Sequence, residues 1–260
     1  MIKHIACSGC QVEYKQFNAE RETTVILLHG FGVNRNMWAP QIAALSDYRV
    51  IAVDLRGHGG SRPCDSFSVI KAAEDVYRIA EAENCIRPLL VGLSMGGYVV
   101  QEYARLYPDH LGGCLIADAT PIFIKYKTWE KLSLQYSAPL LKAYRWETLK
   151  KLMAQACATS EDARRQIRAM FDDMTKQEFI TSWKGLTSCL HEADITFSVP
   201  LWFVYGEKDT TGTIRMHVDD WPVHYPGCEV RPIPGAAHVA NMDAPEAFNR
   251  IMLEFIGRCR

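Results

Sequence analysis

Five short runs of the chain are apolar almost without interruption and carry a glycine, aspartate, serine or threonine at or next to their ends: TVILLHG (24–30), RVIAVDL (49–55), PLLVGLS (88–94), CLIADAT (114–120) and PLWFVYG (200–206). Strict alternation would mark a strand with one wet face, whereas continuous apolarity means that both faces are covered, as in a parallel sheet between helices. Amphipathic stretches at 69–83 and 95–107 supply the crossovers. The first residues behave differently, because HIACSGCQVEYKQF (4–17) alternates about Ser8-Gly9 and predicts an antiparallel hairpin. EVRPIPG (229–235) predicts a last strand and 245–256 a last helix. The pattern as a whole predicts an α/β protein with a mostly parallel central sheet and helices on both faces.

One interval interrupts the alternation. Residues 121–198 carry no convincing strand but four helix-like pieces, at 126–135, 139–158, 160–174 and 176–190. A structureless loop of that length inside a compact domain is improbable, so an inserted helical cap is expected there, lying as a lid on a core made of 1–120 and 199–260. The interval is rich in aromatic residues, and Trp129, Tyr144, Trp146 and Trp183 are candidates for lining a substrate pocket. The competing role for any one of them is the small core of the insertion itself. Arg145, between Tyr144 and Trp146, is the candidate cation should the substrate be an anion.

Composition narrows the function classes. The 260 residues carry a formal net charge of −1 and no basic run, which argues against a nucleic-acid partner, since phosphate binding needs a concentrated positive field. No segment approaches the roughly 18 apolar residues of a membrane span, and MIKHIACSGC lacks the features of a signal peptide. Nine scattered cysteines read as reduced thiols of a cytoplasmic protein. Cys7-Ser-Gly-Cys10 could be a redox or zinc pair, but no second CxxC accompanies it, and no metal site is expected. Small-molecule chemistry is the remaining expectation; oligomeric state is left open.

The chemistry centres on GLSMGG (92–97), where a serine sits between glycines two residues away on either side, after a strand pattern and before a helix pattern. In so tight a strand-to-helix turn, glycines remove side chains that would collide, and the serine is exposed at the edge of the sheet beside a helix N-terminus. Ser94 is therefore the candidate nucleophile. Such a serine needs a base, a group that orients the base, and donors for an oxyanion. His238 in IPGAAH follows the last strand, and Asp209 in YGEKD follows the one before it, in the chain order serine, acid, histidine. Asp118 also ends a strand and is the alternative acid; its competing role is to hold the start of the insertion. In LLHGFG the N–H of Phe31, with that of Met95, can supply the oxyanion donors. His29 and His58 are expected to support loops.

Taken in order, HGFG, DLRGHGGS, GLSMGG, GEKD and GAAH resemble the α/β-hydrolase-fold serine hydrolases, from about residue 24 to the C-terminus. MWAPQIAALSDYRVIAVDLRGHGGS and GLSMGGYVVQEYA are most similar to the enol-lactonase and small carboxylesterase branch. The resemblance implies a Ser-His-Asp triad, an acyl-enzyme intermediate, no cofactor, and a small ester or lactone as substrate. A ligand-binding receptor on the same fold is the alternative from a different class.

Overall fold

The computed structural model describes residues 1–125, 127–189 and 192–259, excepting the side chains of 128–131, 133–135 and 188–189. Eight strands form one sheet in the order β1-β2-β4-β3-β5-β6-β7-β8. They are β1 (Ile2–Cys7), β2 (Cys10–Phe17), β3 (Thr24–Leu28), β4 (Arg49–Val53), β5 (Leu89–Leu93), β6 (Gly113–Ala117), β7 (Leu201–Gly206) and β8 (Cys228–Ile233). The β1–β2 hairpin pairs antiparallel to itself and to β4, and all other pairings are parallel. The helices are α1 (Ala39–Ala44), α2 (Val69–Ala82), α3 (Met95–Leu106), α4 (Thr128–Ala143), α5 (Trp146–Cys157), α6 (Glu161–Phe171), α7 (Lys176–Cys189), α8 (Asp220–His224), α9 (Ala240–Asp243) and α10 (Pro245–Arg258).

The two faces of the sheet hold separate apolar cores. Along β3 the side chains alternate: Val25 and Leu27 pack with Trp38 and with Phe248 and Phe255 of α10, while Ile26 and Leu28 pack with α2 and α3. All five residues of β3 are buried, which accounts for the unbroken apolar run in its sequence. Helix α2 presents Val69, Ala72, Ala73, Val76, Ile79 and Ala80, a stripe at helical spacing, and Ser68 caps its start by accepting from the Lys71 N–H at 3.4 Å. Burial of each Val, Leu or Ile contributes roughly 1.5–3 kcal/mol against the ordering entropy.

Between β6 and β7 the chain makes α4 to α7, in the interval where the sequence lacks strands. The boundaries differ from the expected ones at one place. A helix beginning at Pro139 is the sequence expectation, since proline suits the first helical turn. Instead α4 runs through Pro139 to Ala143, and the break falls before Trp146. Tertiary contacts account for the continuation: Ala138 is buried, and Ser137 Oγ accepts a 2.7 Å bond from Trp183 Nε1 of α7.

Candidate active site

Ser94 follows the last residue of β5 and caps α3. Its backbone, at φ +53° and ψ −114°, lies in a region that side-chain-bearing residues avoid, so the turn is held by its surroundings. Its N–H donates to Ala117 O at 2.8 Å, and its carbonyl accepts from Tyr98 N at 3.2 Å. The flanking glycines are steric requirements. A Cβ on Gly92 would stand 2.3 Å from Gly96 O, and one on Gly96 would stand 2.1 Å from Leu28 O. The helix therefore approaches the sheet closely enough to present the serine at the sheet edge.

His238 lies in the loop between β8 and α9, 6% exposed. Its Nε2 is 2.9 Å from Ser94 Oγ and its Nδ1 is 2.9 Å from Asp209 Oδ2. Asp209, just beyond β7, also accepts from Thr211 N at 2.7 Å. Burial raises the Asp209 pKa, but the His238 contact and the Thr211 donors outweigh it and hold the carboxyl below its ordinary value. The residues read from GLSMGG, GEKD and GAAH are thus brought within hydrogen-bond reach of one another.

Asp118, at the end of β6, is fully buried behind this group at φ +47°. Its Oδ1 accepts from Gly206 N at 2.8 Å, and the Ala240 N–H and the Asp209 carboxyl also bear on it. Burial first, and then the Asp209 charge, push the Asp118 carboxyl well above its ordinary range. Burial and the Asp209 charge thus favour the neutral form of Asp118, while the His238 and Thr211 contacts favour the anion of Asp209. Histidine 238 contacts Asp209; no bond joins it to Asp118 among the described residues.

His29 and His58 are both buried without exposure to the solvent that a charged ring needs. His29 Nδ1 donates to Gly30 O at 2.7 Å and its Nε2 accepts from Leu55 N at 2.9 Å, which fixes a neutral tautomer. Burial pushes His29 down to about 4 and His58 down to about 3. The His58 ring stands 5.5 Å from the Phe31 ring and 5.9 Å from that of Phe67. Met95 is the first residue of α3, so its N–H has no partner within the helix.

A cavity of about 450 Å³ opens on Ser94 and His238. Phe31, Met153, Ile167, Phe171, Trp183 and Leu186 give it apolar walls, and Tyr98, Thr120 and Thr187 add hydroxyls. No lysine or arginine lines it among the described residues. Of the four aromatic candidates from the insertion, Trp183 reaches the cavity, its ring 5.2 Å from that of Phe31. Trp146 packs one layer back, 5.2 Å from the Phe179 ring, because α5 turns that face onto α6 and α7. Tyr144 lies between α4 and α5 and is exposed, as is Arg145 beside it. The side chain of Trp129 lies outside the described residues.

The sequence model of the Alpha/beta hydrolase family matches residues 25–251. The chain belongs to that family. A relative is the pimeloyl-[acyl-carrier protein] methyl ester esterase of Yersinia enterocolitica, 26% identical over 93% of this chain and 96% of its own. The 3-oxoadipate enol-lactonase 2 of Acinetobacter baylyi is 25% identical over 92% of this chain and 90% of its own. A thermophilic esterase from Thermogutta terrifontis superposes with a TM-score of 0.84 at 21% identity, over 100% of this chain and 99% of that one, and shares the fold.

In this hydrolase the histidine loop is also bolted to the inserted helices. Asp243 of α9 accepts from Thr159 N and Ser160 N, at 2.9 Å each, and from Ala237 N at 2.9 Å. Val239 N donates to Cys157 O at 3.0 Å. Met153, Cys157, Ile167, Leu186 and Thr187 also line the cavity, beside the insertion's aromatic Phe171, and are not evident as site residues in the sequence. The available signal was helical spacing: Met153 with Cys157, Ile167 with Phe171, and Trp183 with Thr187 each stand four apart, on one face of a helix.

Proposed function

We propose that this hydrolase cleaves small carboxylic esters with neutral acyl groups, through Ser94 as nucleophile, His238 as base and Asp209 as the acid that orients it. The observation that carries the reading is the continuous chain Ser94 Oγ to His238 Nε2 to His238 Nδ1 to Asp209 Oδ2, with 2.9 Å at both links. His238 takes the Ser94 proton as Oγ attacks the ester carbonyl. The N–H groups of Phe31 and Met95 stabilise the tetrahedral oxyanion. Collapse expels the alcohol, which receives the proton from His238 and leaves an acyl-serine. Water, deprotonated by the same imidazole, then attacks the acyl-serine and releases the acid and free Ser94. Asp209, ionised well into acid, holds the proton on Nδ1 so that Nε2 can accept the serine proton.

Residues 121–198 form the cap over the site, with Trp183, Met153 and Ile167 bringing apolar surface to the acyl group. Burying that surface contributes about 25 cal/mol per Å². A lactone such as the one named for the Acinetobacter relative is the second reading, supported by the similarity to that protein. The cavity walls favour the neutral ester, because a carboxylate there would be desolvated without a paired cation.

Ser94→Ala should stay folded and lose roughly a thousandfold or more of kcat on an activated aryl ester. Wild type should be labelled by a fluorophosphonate and the variant should not. A wild-type rate in Ser94→Ala would remove the nucleophile, and an unreactive wild type would point to a receptor.

A further inference from the structure

The CxxC of the opening hairpin acquires a different partner in three dimensions. Cys7 and Cys10 face each other across the two-residue turn Ser8-Gly9. Cys10 is in addition bridged, antiparallel, to Cys64 in the loop that leads into α2. Directly opposed residues of an antiparallel pair project to the same face with Cα atoms about 4.5–5.5 Å apart, within the range a disulfide spans. The Cys10 and Cys64 thiols interact with each other. Each also lies near a carbonyl oxygen: Cys10 Sγ is 3.5 Å from Ser61 O and Cys64 Sγ is 3.4 Å from Ser66 O.

We propose that Cys10 and Cys64 are a redox-active thiol pair, which closes to a disulfide in the presence of a disulfide oxidant and fastens the β1–β2 turn to the loop before α2. The chemistry divides between the two sulfurs. Cys10 is 8% exposed, whereas Cys64 is half-buried and open to a reagent. The Arg56 guanidinium, held by Asp75 through two 2.7 Å bonds, lies near both thiols and favours a thiolate there. The Cys10 hydrogen bond first, with the Arg56 charge also contributing, draws the Cys64 pKa below that of an ordinary thiol. Burial and the neighbouring Asp75 carboxylate push the Cys7 thiol up to about 12, and the Cys64 contact and burial push Cys10 up as well, so of the three thiols Cys64 is the one that ionises first and attacks.

With glutathione disulfide as oxidant, the Cys64 thiolate attacks one sulfur and the S–S bond breaks. One glutathione leaves as thiolate and takes a proton. Cys10 then loses its proton and attacks the Cys64 sulfur of the mixed disulfide, expelling the second glutathione. The protein loses two hydrogens and the oxidant becomes two thiols. The closed link joins positions 10 and 64 and anchors the loop from which Phe67 packs on His58 and against Gly185 of α7. Neither sulfur touches the Ser94 site, so the inference stands apart from the proposed hydrolysis.

The test is a titration of the full chain with glutathione disulfide, followed by non-reducing peptide mapping and thermal melts. Wild type should yield a Cys10–Cys64 linked peptide and a melting temperature raised by roughly 5 °C or more, reversed by dithiothreitol. Cys7→Ser should behave as wild type. Cys10→Ser should retain glutathione on Cys64, since nothing is left to displace it. Cys64→Ser should show neither link nor rise. A Cys7–Cys10 link, a glutathione adduct that persists on wild type, or an unreactive wild type would each overturn the pairing, and none of these depends on a variant folding.

Discussion

If Asp209 orients His238, as proposed, replacing each of the two buried carboxyls in turn separates that role from mere support. Asp209→Asn keeps the shape and removes the anion. Its amide can offer either an N–H or a carbonyl to His238 Nδ1, which stands 2.9 Å from Asp209 Oδ2. An N–H there forces the proton onto Nε2, and the ring can no longer accept the Ser94 proton. The expected loss in kcat is roughly ten-thousandfold, or about 5 kcal/mol of transition-state stabilisation. Asp118→Asn should be mild. Asn retains the acceptor for Gly206 N, and its amide replaces a carboxyl whose neutral form burial already favours, so little charge is taken from the site. At most one hydrogen bond is weakened, about 1 kcal/mol, which limits the loss to about fivefold. Steady-state hydrolysis of an aryl ester, with circular dichroism to verify folding, measures both. If Asp118→Asn falls as far as Asp209→Asn, or if Asp209→Asn keeps more than a tenth of the activity, the assignment of charge to the pair is wrong.

Three further outcomes are expected. Gly96→Ala places a Cβ 2.1 Å from the Leu28 carbonyl, a backbone atom that cannot step aside, and should cost about 3 kcal/mol or more in urea unfolding; near-wild-type stability would contradict the close approach of α3. The neutral His29 and His58 have folded pKa values of about 4 and about 3 against an ordinary 6.5, so their contribution is complete above pH 6.5 and is lost as pH falls toward those values. Each then costs up to about 1.4 kcal/mol per pH unit, and urea melts from pH 7 to 4.5 should show that slope, made shallower in His58→Gln; a stability flat over this range would count against it. Finally, kcat/KM should be higher for neutral esters than for matched substrates bearing a free carboxylate, with Arg145→Ala leaving the order unchanged because Arg145 is exposed and away from the cavity. Preference for the carboxylates, lost in Arg145→Ala, would favour the lactone reading.

The parallel strands were legible because burial on both faces leaves no position for a polar residue, as in TVILL, where all five side chains are covered. The elbow was legible because its glycines answer to contacts made within the same short segment and with the adjacent strand. What decides between Asp118 and Asp209 is longer in range. β6 and β7 are neighbours with Ala117 opposite Val204, so two strand-end carboxyls become one buried pair, and no local pattern states which holds the proton. The insertion was hardest to read. Its helices could be placed roughly from periodicity, but which aromatic residue faces the cavity depends on how each helix is rotated against its neighbours. Trp183 and Trp146 have similar sequence surroundings and different environments for that reason. The Cys10–Cys64 bridge escaped notice because its members are remote in sequence, while the eye-catching CxxC spacing lies within one hairpin.

The bonds from Asp243 to Thr159, Ser160 and Ala237, with the Val239–Cys157 bond, give the molecule a fixed pivot. The junction of α5 and α6 cannot lift away from the core without drawing the His238 loop along with it. On the other side of the mouth the Trp183–Ser137 bond ties α7 to α4, so that pair is joined to itself and not to the histidine loop. Loosening the pivot, as in Asp243→Ala, would then be felt in turnover more than in substrate affinity, because it frees the base before it widens the pocket.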